Sequence, residues 1–487
     1  MLFNSVNFAI FLPIVFFIYW FVAGKSLNLQ NILLLASSYF FYACWDWRFL
    51  LLLIFSTFLD YVTGIKISTS KNMNNKKFWF WLSISINLGF LGIFKYYNFF
   101  AQSFSDAIAN FGLKINPFTL QVILPVGISF YTFHGLSYVI DIYNNKIKAE
   151  RNFIDYSVFV SFFPLLVAGP IERATHLLPQ IQKQRVFSFP NAVVGLRQIL
   201  WGLFKKVVIA DQCAKIANIL FDLSNGYSGT TLIIGAVAFA FQIYCDFSGY
   251  SDIALGTAKL FGIDLLRNFA FPYFSRDIAE FWRRWHISLS SWFKDYLYVP
   301  LGGSRVGLWK KVRNTLIIFL VSGFWHGANW TFIAWGALNA LYILPSIIFK
   351  SNRLNIETIA LARVFPTARE LFAMLFTFTL TVFAWVFFRS QDIGSAIIFI
   401  KKATIGLFYN YSYLQTALFF DRNIGYSMAI IICLFILFEW NGRGYNFAIE
   451  KILSSRPVWI RWSFYYVLIY MVLIYSGGEE PFIYFQF

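Results

Sequence analysis

Residues 314–347 read NTLIIFLVSGFWHGANWTFIAWGALNALYILPSI and contain no Asp, Glu, Lys or Arg. A helix needs about 20 predominantly apolar residues to cross the hydrocarbon core of a bilayer, so this run predicts membrane-spanning structure. One side chain in the run, His326, can carry a charge near neutral pH. Because an ionisable group at membrane depth is costly, His326 is a candidate functional residue.

Helix geometry gives an expected depth for His326. Basic residues precede Asn314, so we expect the helix to begin near Asn314 on the cytoplasmic side. Twelve residues at about 1.5 Å each then place His326 roughly 18 Å along the helix, near the middle of a core about 30 Å thick. Gly323 and Gly327 flank the imidazole and favour either close approach of a substrate or tight helix packing. A buried structural histidine is the alternative interpretation.

The composition extends this interpretation to the whole chain. Of its 487 residues 59% are hydrophobic and only 13% are charged, whereas soluble domains carry roughly 25% charged residues. Apolar runs recur from residue 7 to residue 475, so the sequence predicts an all-α polytopic membrane protein with a single membrane domain over 1–487. We expect roughly 11–13 membrane helices. The first run, within 1–20, lacks a basic region and a cleavage signal and predicts a retained span.

The chain is basic, with 40 Lys and Arg against 23 Asp and Glu and a net charge of +17. In a soluble protein such a charge could indicate nucleic-acid binding. In this apolar chain we interpret it as basic cytoplasmic loops that face anionic lipid, and we expect no nucleic-acid partner. An anionic cytoplasmic substrate is compatible with the same charge.

Residues 267–313 are the least membrane-like segment, with nine basic residues and three carboxylates. Tryptophans recur within the segment at roughly helical spacing, which predicts interfacial amphipathic helices on the cytoplasmic face. The segment also contains His286, for which a surface or structural role would be the default interpretation. Its basic side chains either lie against lipid or bind the phosphates of a substrate. The candidates for phosphate binding are Arg283, Arg284, Lys294 and Arg305.

The run 153–170 contains Pro164, Gly169 and Pro170, and a basic stretch follows it. If the run crossed the membrane fully, that basic stretch would lie outside the cell. Broken backbone at membrane depth is tolerated only inside protein or beside a cavity, so we predict a re-entrant element that lines a cavity. An ordinary helix kinked by proline is the alternative.

The remaining polar residues predict structural roles. Asp246 and Asp252 lie near a membrane boundary without histidines beside them, which favours hydrogen bonding over metal binding. His134 and His176 are interpreted as structural. The four cysteines have no metal-ligand spacing and are interpreted as apolar fillers. We expect no metal site and no bound cofactor.

Motifs along nearly the whole chain point to one family. They are MLFNS (1–5), VAGPIER (167–173), the Asp246–Asp252 stretch, EFWRRWH (280–286), WHG (325–327), WVFFR (385–389) and FIYFQF (482–487). With these motifs the chain resembles the membrane-bound O-acyltransferase family, and within it the bacterial alginate O-acetyltransferase-like branch. The resemblance implies a fold built around a tunnel through the bilayer, with re-entrant elements. The acyl donor enters this tunnel from the cytoplasm and the acceptor enters from the other side.

The resemblance also implies roles for two histidines. His326 corresponds to the family's invariant membrane histidine, and we expect it to act as a general base on the acceptor hydroxyl. His286 corresponds to the second active-site position, which replaces the default interpretation given above. We expect His286 to orient the acyl thioester or to polarise its carbonyl.

The function implied by the resemblance is O-acetylation at the bacterial cytoplasmic (inner) membrane. Acetyl would pass from cytoplasmic acetyl-CoA, a co-substrate, to alginate or another exopolysaccharide outside the cytoplasm. A periplasmic SGNH-type acetyltransferase and polysaccharide assembly proteins are the implied partners. Two alternatives stay open. One is a teichoic-acid D-alanyl transferase that uses a carrier protein, and the other is a non-enzymatic transporter or flippase, supported by the broken 162–170 element and the polar candidates for a tunnel lining.

Overall fold

The computed structural model describes residues 1–113, 115–121, 123–167, 169–222, 224–451, 454–477 and 481–483. These residues form helices and connecting segments, and none of them lies in a β-strand, which confirms the predicted all-α class. They divide into two compact units. The first unit consists of Met1–Gly195 and Ala254–Leu266, and the second of Leu196–Ile253 and Arg267–Phe487. The single domain predicted over 1–487 stays a prediction, because two compact units can belong to one domain.

The first unit holds nine α-helices and the beginning of a tenth. They are α1 (Val6–Phe17), α2 (Leu27–Ala43), α3 (Trp47–Thr69), α4 (Met73–Leu91), α5 (Tyr97–Ala109), α6 (Ile128–Tyr143), α7 (Phe153–Ser161), α8 (Phe163–Leu166), α9 (Ala174–Ile181) and α10 (Phe189–Leu203). One turn of π-helix follows α1 at Ile18–Val22, and another joins α4 to α5 at Gly92–Tyr96.

The second unit contains the end of α10 and most of the remaining helices. These are α11 (Asp211–Asp222), α12 (Thr230–Leu260), α13 (Ile278–Arg284), α14 (Ile287–Phe293), α15 (Leu308–His326), α16 (Trp330–Ile348), α17 (Ala368–Arg389), α18 (Ile393–Ile405), α19 (Asn410–Phe419), α20 (Gly425–Asn441) and α21 (Val458–Tyr475). The last residues of α12 belong to the first unit. Segments of π-helix occur at Phe204–Ala210, Lys294–Tyr298 and Phe420–Ile424.

Eight helical stretches of the described residues are long and apolar enough to cross a bilayer, as expected for a multi-pass membrane protein. They are Val6–Lys25, Trp47–Thr69, Met73–Ala109, Thr230–Leu260, Trp330–Ile348, Ala368–Arg389, Asn410–Asn441 and Val458–Tyr475. This number is below the predicted 11–13, which counted apolar runs whatever their helix length. Several of those runs form shorter helices, of 17 residues in α2, 16 in α6 and 9 in α7.

The run 153–170 is interrupted, as the re-entrant interpretation requires. Helix α7 ends at Ser161, and at about 1.5 Å per residue it is far shorter than the bilayer core. Phe163 begins the four-residue helix α8, and its backbone N–H donates to Ser38 Oγ at 3.0 Å. A continuous helix with a proline kink is therefore not what forms. Ala168 lies outside the described residues.

Two histidines stabilise the backbone around this interruption. The His134 ring lies with Nδ1 3.4 Å from Val160 O, while its Nε2 accepts from the Glu172 N–H at 3.1 Å. The Glu172 carboxylate contacts His176 Nδ1 at 2.8 Å and accepts from the Leu266 N–H at 2.6 Å. These contacts give His134 and His176 the structural roles that the sequence predicts.

Buried ion pairs hold α12 in the second unit. Lys206 Nζ lies 2.7 Å from Asp211 Oδ1 and 2.8 Å from Asp246 Oδ1, and Lys205 Nζ lies 2.6 Å from Asp252 Oδ2. Both lysines belong to the π-helical segment Phe204–Ala210. Asp246 and Asp252 therefore have structural roles, as predicted, because a charge buried away from water needs an opposite charge beside it.

The segment 267–313 is more buried than interfacial helices would be. It forms the short helices α13 and α14, but Trp285 is 1% exposed and Trp292 is 8% exposed. Trp285 stacks against Phe281 with ring centroids 5.5 Å apart and lies 5.1 Å from the Trp385 ring. Trp285 and Trp292 therefore belong to the core of the second unit, and the interfacial position of the segment on the cytoplasmic face stays a prediction.

The run 314–347 forms a helical hairpin. Helix α15 begins at Leu308, earlier than predicted, and ends at His326, so the imidazole lies at a helix terminus instead of midway along a helix. Gly327 is extended (φ −165°, ψ 155°), and the Asn329 side chain caps α16 by accepting the Thr331 N–H at 3.0 Å. The break comes from local backbone and capping preferences, which the uniform hydrophobicity of the run conceals.

The two glycines beside His326 serve packing. A Cβ at Gly323 would overlap the Phe332 carbonyl oxygen and lie 3.4 Å from the Gly336 Cα. A Cβ at Gly327 would overlap the Phe332 ring. Helices α15 and α16 thus pack backbone against backbone, as small residues allow in membrane helix pairs. Of the two interpretations left open by the sequence, tight helix packing is the one that the structure supports.

The hairpin generates a prediction about stability. Gly323→Ala should lower the free energy of unfolding by about 1–3 kcal/mol, because the new methyl group must displace the backbone of α16. The matched control is Gly89→Ala in α4, where a Cβ meets no atom within 4 Å. Thermal unfolding of the detergent-solubilised variants measures the difference. Equal midpoints for the two variants would contradict the close approach of α15 and α16.

Candidate active site

His286 is buried in the second unit in an unusual backbone conformation. Its side chain is 1% exposed, and its backbone lies in the left-handed region at φ 42° and ψ 55°, where it precedes α14. Few residues other than glycine adopt this conformation, and such strain is often found at functional sites. Backbone hydrogen bonds hold it in place: Ile287 N–H donates to Asn268 O at 2.9 Å, and Ala270 N–H donates to Arg284 O at 2.9 Å.

The His286 ring has one polar neighbour and one free nitrogen. Its Nδ1 lies 2.9 Å from Asn268 Oδ1. Its Nε2 is buried and makes no hydrogen bond to a described residue. The Phe247 ring meets the imidazole edge to face at 4.6 Å. Burial lowers the pKa of His286 to about 3, so the imidazole is neutral at physiological pH.

His326 is enclosed by aromatic side chains of the second unit. The imidazole is 3% exposed and lies 5.1 Å from the Trp335 ring and 5.4 Å from the Phe388 ring, in both cases near perpendicular. The Trp325 ring is 4.9 Å from His326 and 6.2 Å from His286. The two predicted catalytic residues, forty positions apart in the sequence, therefore share one aromatic neighbour.

Three tryptophan side chains, Trp285, Trp335 and Trp385, lie near the two histidines, and Trp385 contacts the other two. Trp385 stacks on Trp335 at 5.5 Å and lies 5.1 Å from Trp285, so it links the surroundings of both histidines. Such a lining excludes water and strengthens electrostatic interactions inside it. Trp385 belongs to the family motif WVFFR (385–389), whereas Trp335 and Asn268 lie in none of the quoted family motifs. The periodicity of α16 and α17 predicts buried faces, but nothing in it indicates proximity to a histidine.

The four predicted phosphate ligands fall into two groups. Arg284 is buried, with its guanidinium 2.8 Å from the Glu280 carboxylate and a hydrogen bond of 3.1 Å to Ala270 O. Arg283 is exposed and donates to the carbonyl oxygens of Asn352 and Asn355 at 2.8 and 2.7 Å. Both guanidinium groups are therefore engaged by the protein itself.

Lys294 and Arg305 form the second group. Both side chains are exposed, Lys294 at the start of the π-helical segment Lys294–Tyr298 and Arg305 in the turn before α15. Neither forms an ion pair with a described residue. The structure thus leaves these two cations available to an anion, whereas Arg283 and Arg284 would first have to exchange partners.

Metal ligation has no support among the side chains that the structure describes. No group of three or more His, Cys, Asp or Glu among them is arranged to hold a metal ion. Cys213 and Cys245 are buried and fill apolar space, as predicted, whereas Cys44 and Cys433 are exposed.

Comparison with known proteins identifies the family. Residues 143–387, which include both histidines, match the family described as MBOAT, membrane-bound O-acyltransferase. A probable alginate O-acetylase of Pseudomonas putida is 40% identical over 395 residues, which are 81% of this chain and 78% of the relative. A peptidoglycan O-acetyltransferase of Helicobacter pylori is 36% identical over 436 residues, 84% of this chain and 80% of the relative.

A more distant relative belongs to the teichoic-acid branch. The teichoic acid D-alanyltransferase of Streptococcus thermophilus is 30% identical over 266 residues, 50% of this chain and 62% of the relative. The similarity to the O-acetylases is higher and extends over much more of the chain, which confirms the resemblance seen in the motifs. The chain belongs to the membrane-bound O-acyltransferase family and is a multi-pass membrane O-acyltransferase.

Proposed function

We propose that the protein, in the bacterial cytoplasmic (inner) membrane, takes acetyl from cytoplasmic acetyl-CoA and delivers it towards an extracytoplasmic polysaccharide by way of a periplasmic partner. The observation that carries this proposal is the 40% identity over 81% of the chain to a protein named a probable alginate O-acetylase. The match to a peptidoglycan O-acetyltransferase supports the reaction and leaves the polymer open. Membership in an acyltransferase family removes the reason to retain a non-enzymatic transporter or flippase.

His326 is the proposed general base. It takes the proton of the acceptor hydroxyl while the hydroxyl oxygen attacks the thioester carbonyl carbon. The carbon–sulfur bond then breaks, the ester forms, and the departing CoA thiolate takes up the proton. The rings of Trp335 and Phe388 beside His326 disfavour water, which would otherwise hydrolyse the thioester.

The phosphates of acetyl-CoA are proposed to bind at the basic surface of the second unit. Lys294 and Arg305 carry most of this role, because their charges are exposed and neither forms an ion pair with a residue that the structure describes. Arg283 joins them if its contacts with the Asn352 and Asn355 carbonyls are exchanged for phosphate oxygens. Arg284, as part of the same proposed set, would have to leave Glu280, and its contacts favour a role in holding α13.

The acceptor side of the reaction involves other proteins in this proposal. A periplasmic SGNH-type acetyltransferase and polysaccharide assembly proteins complete the transfer to the polymer. Family resemblance supports this arrangement. D-alanylation of teichoic acid from a carrier protein is the second candidate function, favoured by the weaker similarity to D-alanyltransferases. Assaying both acetate and D-alanine esters on cell-surface polymers of a deletion strain separates the two.

The base is tested with His326→Gln and His326→Ala in a complemented deletion strain. Both variants should lose polymer O-acetylation by about 100- to 10,000-fold, because glutamine keeps a hydrogen bond but cannot accept the proton. The readout is the O-acetyl ester content of the polysaccharide at equal amounts of membrane protein. His176→Gln is the matched control, since His176 is a half-buried histidine of the first unit paired with Glu172. Near-normal acetylation by His326→Gln would make His326 structural.

The phosphate site is tested by donor kinetics in inverted membrane vesicles. Lys294→Gln and Arg305→Gln should each raise the KM for acetyl-CoA by about 10-fold, since each removes a charge-assisted contact. Lys215→Gln, which changes an exposed lysine of α11, is the control. Arg284→Gln should instead lower the amount of folded protein, because it leaves the Glu280 carboxylate buried with one partner fewer. Unchanged KM values for both Lys294 and Arg305 variants would leave lipid contact as their role.

A further inference from the structure

A network of hydrogen bonds between buried side chains connects helix α12 to His286. Asn268 Nδ2 donates to Ser251 Oγ at 3.2 Å, and Asn268 Oδ1 lies 2.9 Å from His286 Nδ1. Ser288 Oγ donates to the same Oδ1 at 2.8 Å. Ser251, Asn268, His286 and Ser288 are each no more than 3% exposed. Because these groups are buried from bulk solvent, their donors and acceptors need partners within the protein or on a molecule bound there.

The backbone determines which way the Asn268 amide faces. The Ser288 backbone N–H, which can only donate, points at the same side-chain atom of Asn268 at 3.4 Å. That atom must be the oxygen, since an NH₂ group would oppose a second donor there. An oxygen facing His286 Nδ1 requires a proton on Nδ1. The neutral imidazole then carries its lone pair on Nε2.

Among the described polar atoms of Ser251, Asn268, His286 and Ser288, the His286 Nε2 is an atom that can still bind a ligand. It is buried and makes no hydrogen bond to a described residue. A nitrogen with a lone pair accepts hydrogen bonds but cannot donate one to a carbonyl. Polarisation of the thioester carbonyl by His286 would need the opposite tautomer. The remaining role is to accept a hydrogen bond from an O–H or N–H group of a substrate.

We propose that Asn268 is a positioning residue that holds His286 in the Nδ1–H tautomer, so that Nε2 accepts a hydrogen bond from a donor group of the bound substrate. This inference rests on the proposed acetyl transfer for the identity of the substrate, but not for the tautomer. Asn268 also accepts the Ile287 N–H through its backbone carbonyl, which supports the left-handed conformation of His286. Side-chain replacement leaves that backbone contact in place and isolates the effect on the ring.

The tautomer can be measured without reference to activity. The chain has four histidines, so nitrogen-15 labelling of histidine in the full-length protein gives few signals, and His286→Gln assigns one of them. We expect a protonated Nδ1 and an unprotonated Nε2 for His286. Asn268→Ala should reduce the fraction of this tautomer, whereas Asn268→Asp should preserve it because a carboxylate oxygen accepts in the same place. A protonated Nε2 in the unaltered protein, or an unchanged tautomer in Asn268→Ala, overturns the proposal.

Kinetics then test whether the tautomer matters for transfer. Asn268→Ala should lower kcat by about 10- to 100-fold, the range seen when a metal-bound histidine loses the partner that orients it through its second nitrogen. Asn268→Asp should stay within a few-fold of the unaltered enzyme at pH 8. Asn339→Ala is the matched control, because this buried amide donates to Trp335 O and to neither histidine. Equal activity of Asn268→Ala and the control would show that Asn268 is merely structural.

The pH profile separates positioning from packing. In the unaltered enzyme burial lowers the pKa of His286 to about 3, so protonation of this ring does not limit activity above pH 5. The carboxylate in Asn268→Asp stabilises the imidazolium and raises that pKa. Since imidazolium has no lone pair on Nε2, the acid limb of the variant's pH profile should lie at a higher pH than that of the unaltered enzyme. Superimposable profiles overturn the proposal. If the unaltered protein shows the Nδ1–H tautomer but transfers no acetyl group, the proposed function fails and the tautomer assignment stands.

Discussion

The absence of water around buried polar groups is the constraint on which this structure depends. A lysine or carboxylate that cannot reach solvent needs a protein partner, and the cost of lacking one is several kcal/mol in an apolar environment. Lys206 has two such partners, Asp211 at the start of α11 and Asp246 on α12, and the pair with Asp246 joins the π-helical segment Phe204–Ala210 to α12. Helix α12 in turn carries Phe247 and Ser251, the residues that border His286 and Asn268. The ion pairs that hold α12 in place therefore also position Phe247 and Ser251 beside His286 and Asn268.

The same constraint explains how the first unit tolerates interrupted backbone. Where α7 stops at Ser161, side chains replace the missing helical hydrogen bonds: Ser38 accepts the Phe163 N–H and His134 accepts the Glu172 N–H. A histidine suits this position because its neutral ring offers one donor and one acceptor on opposite sides. Two buried histidines of one chain thus have different uses. His134 has both nitrogens near backbone atoms, whereas His286 keeps Nε2 unengaged by the described residues.

Composition and periodicity predicted the helical class and the membrane location, because both follow from summed hydrophobicity. They did not predict the break after His326, since the glycine and the capping Asn329 are short local signals inside a run of high hydrophobicity. Residues 484–487 of the terminal motif FIYFQF (482–487), quoted for the family resemblance, lie outside the described residues. His326 stood out as an ionisable group in an apolar run. Asn268 could not be recognised, because an isolated asparagine eighteen positions before His286 carries no periodic or motif signal.

The basic segment shows what a count of charges leaves out. Arg283 and Arg284 are adjacent in the sequence, yet one faces backbone carbonyls from residues 352–355 and the other faces Glu280. The Glu280–Arg284 pair has the i, i+4 spacing that helices favour, so that contact was visible in the sequence once α13 was recognised. The contacts of Arg283 with backbone carbonyls depend on tertiary structure, so the sequence did not indicate them. Cations that already contact protein groups are poor candidates for an anion site. Lys294 and Arg305, which form no ion pair with a described residue, are therefore better candidates than the arginine pair beside His286. The two histidines thus lie in enclosed aromatic surroundings, whereas Lys294 and Arg305 lie on an exposed surface, where the proposed phosphate contacts would have a low desolvation cost.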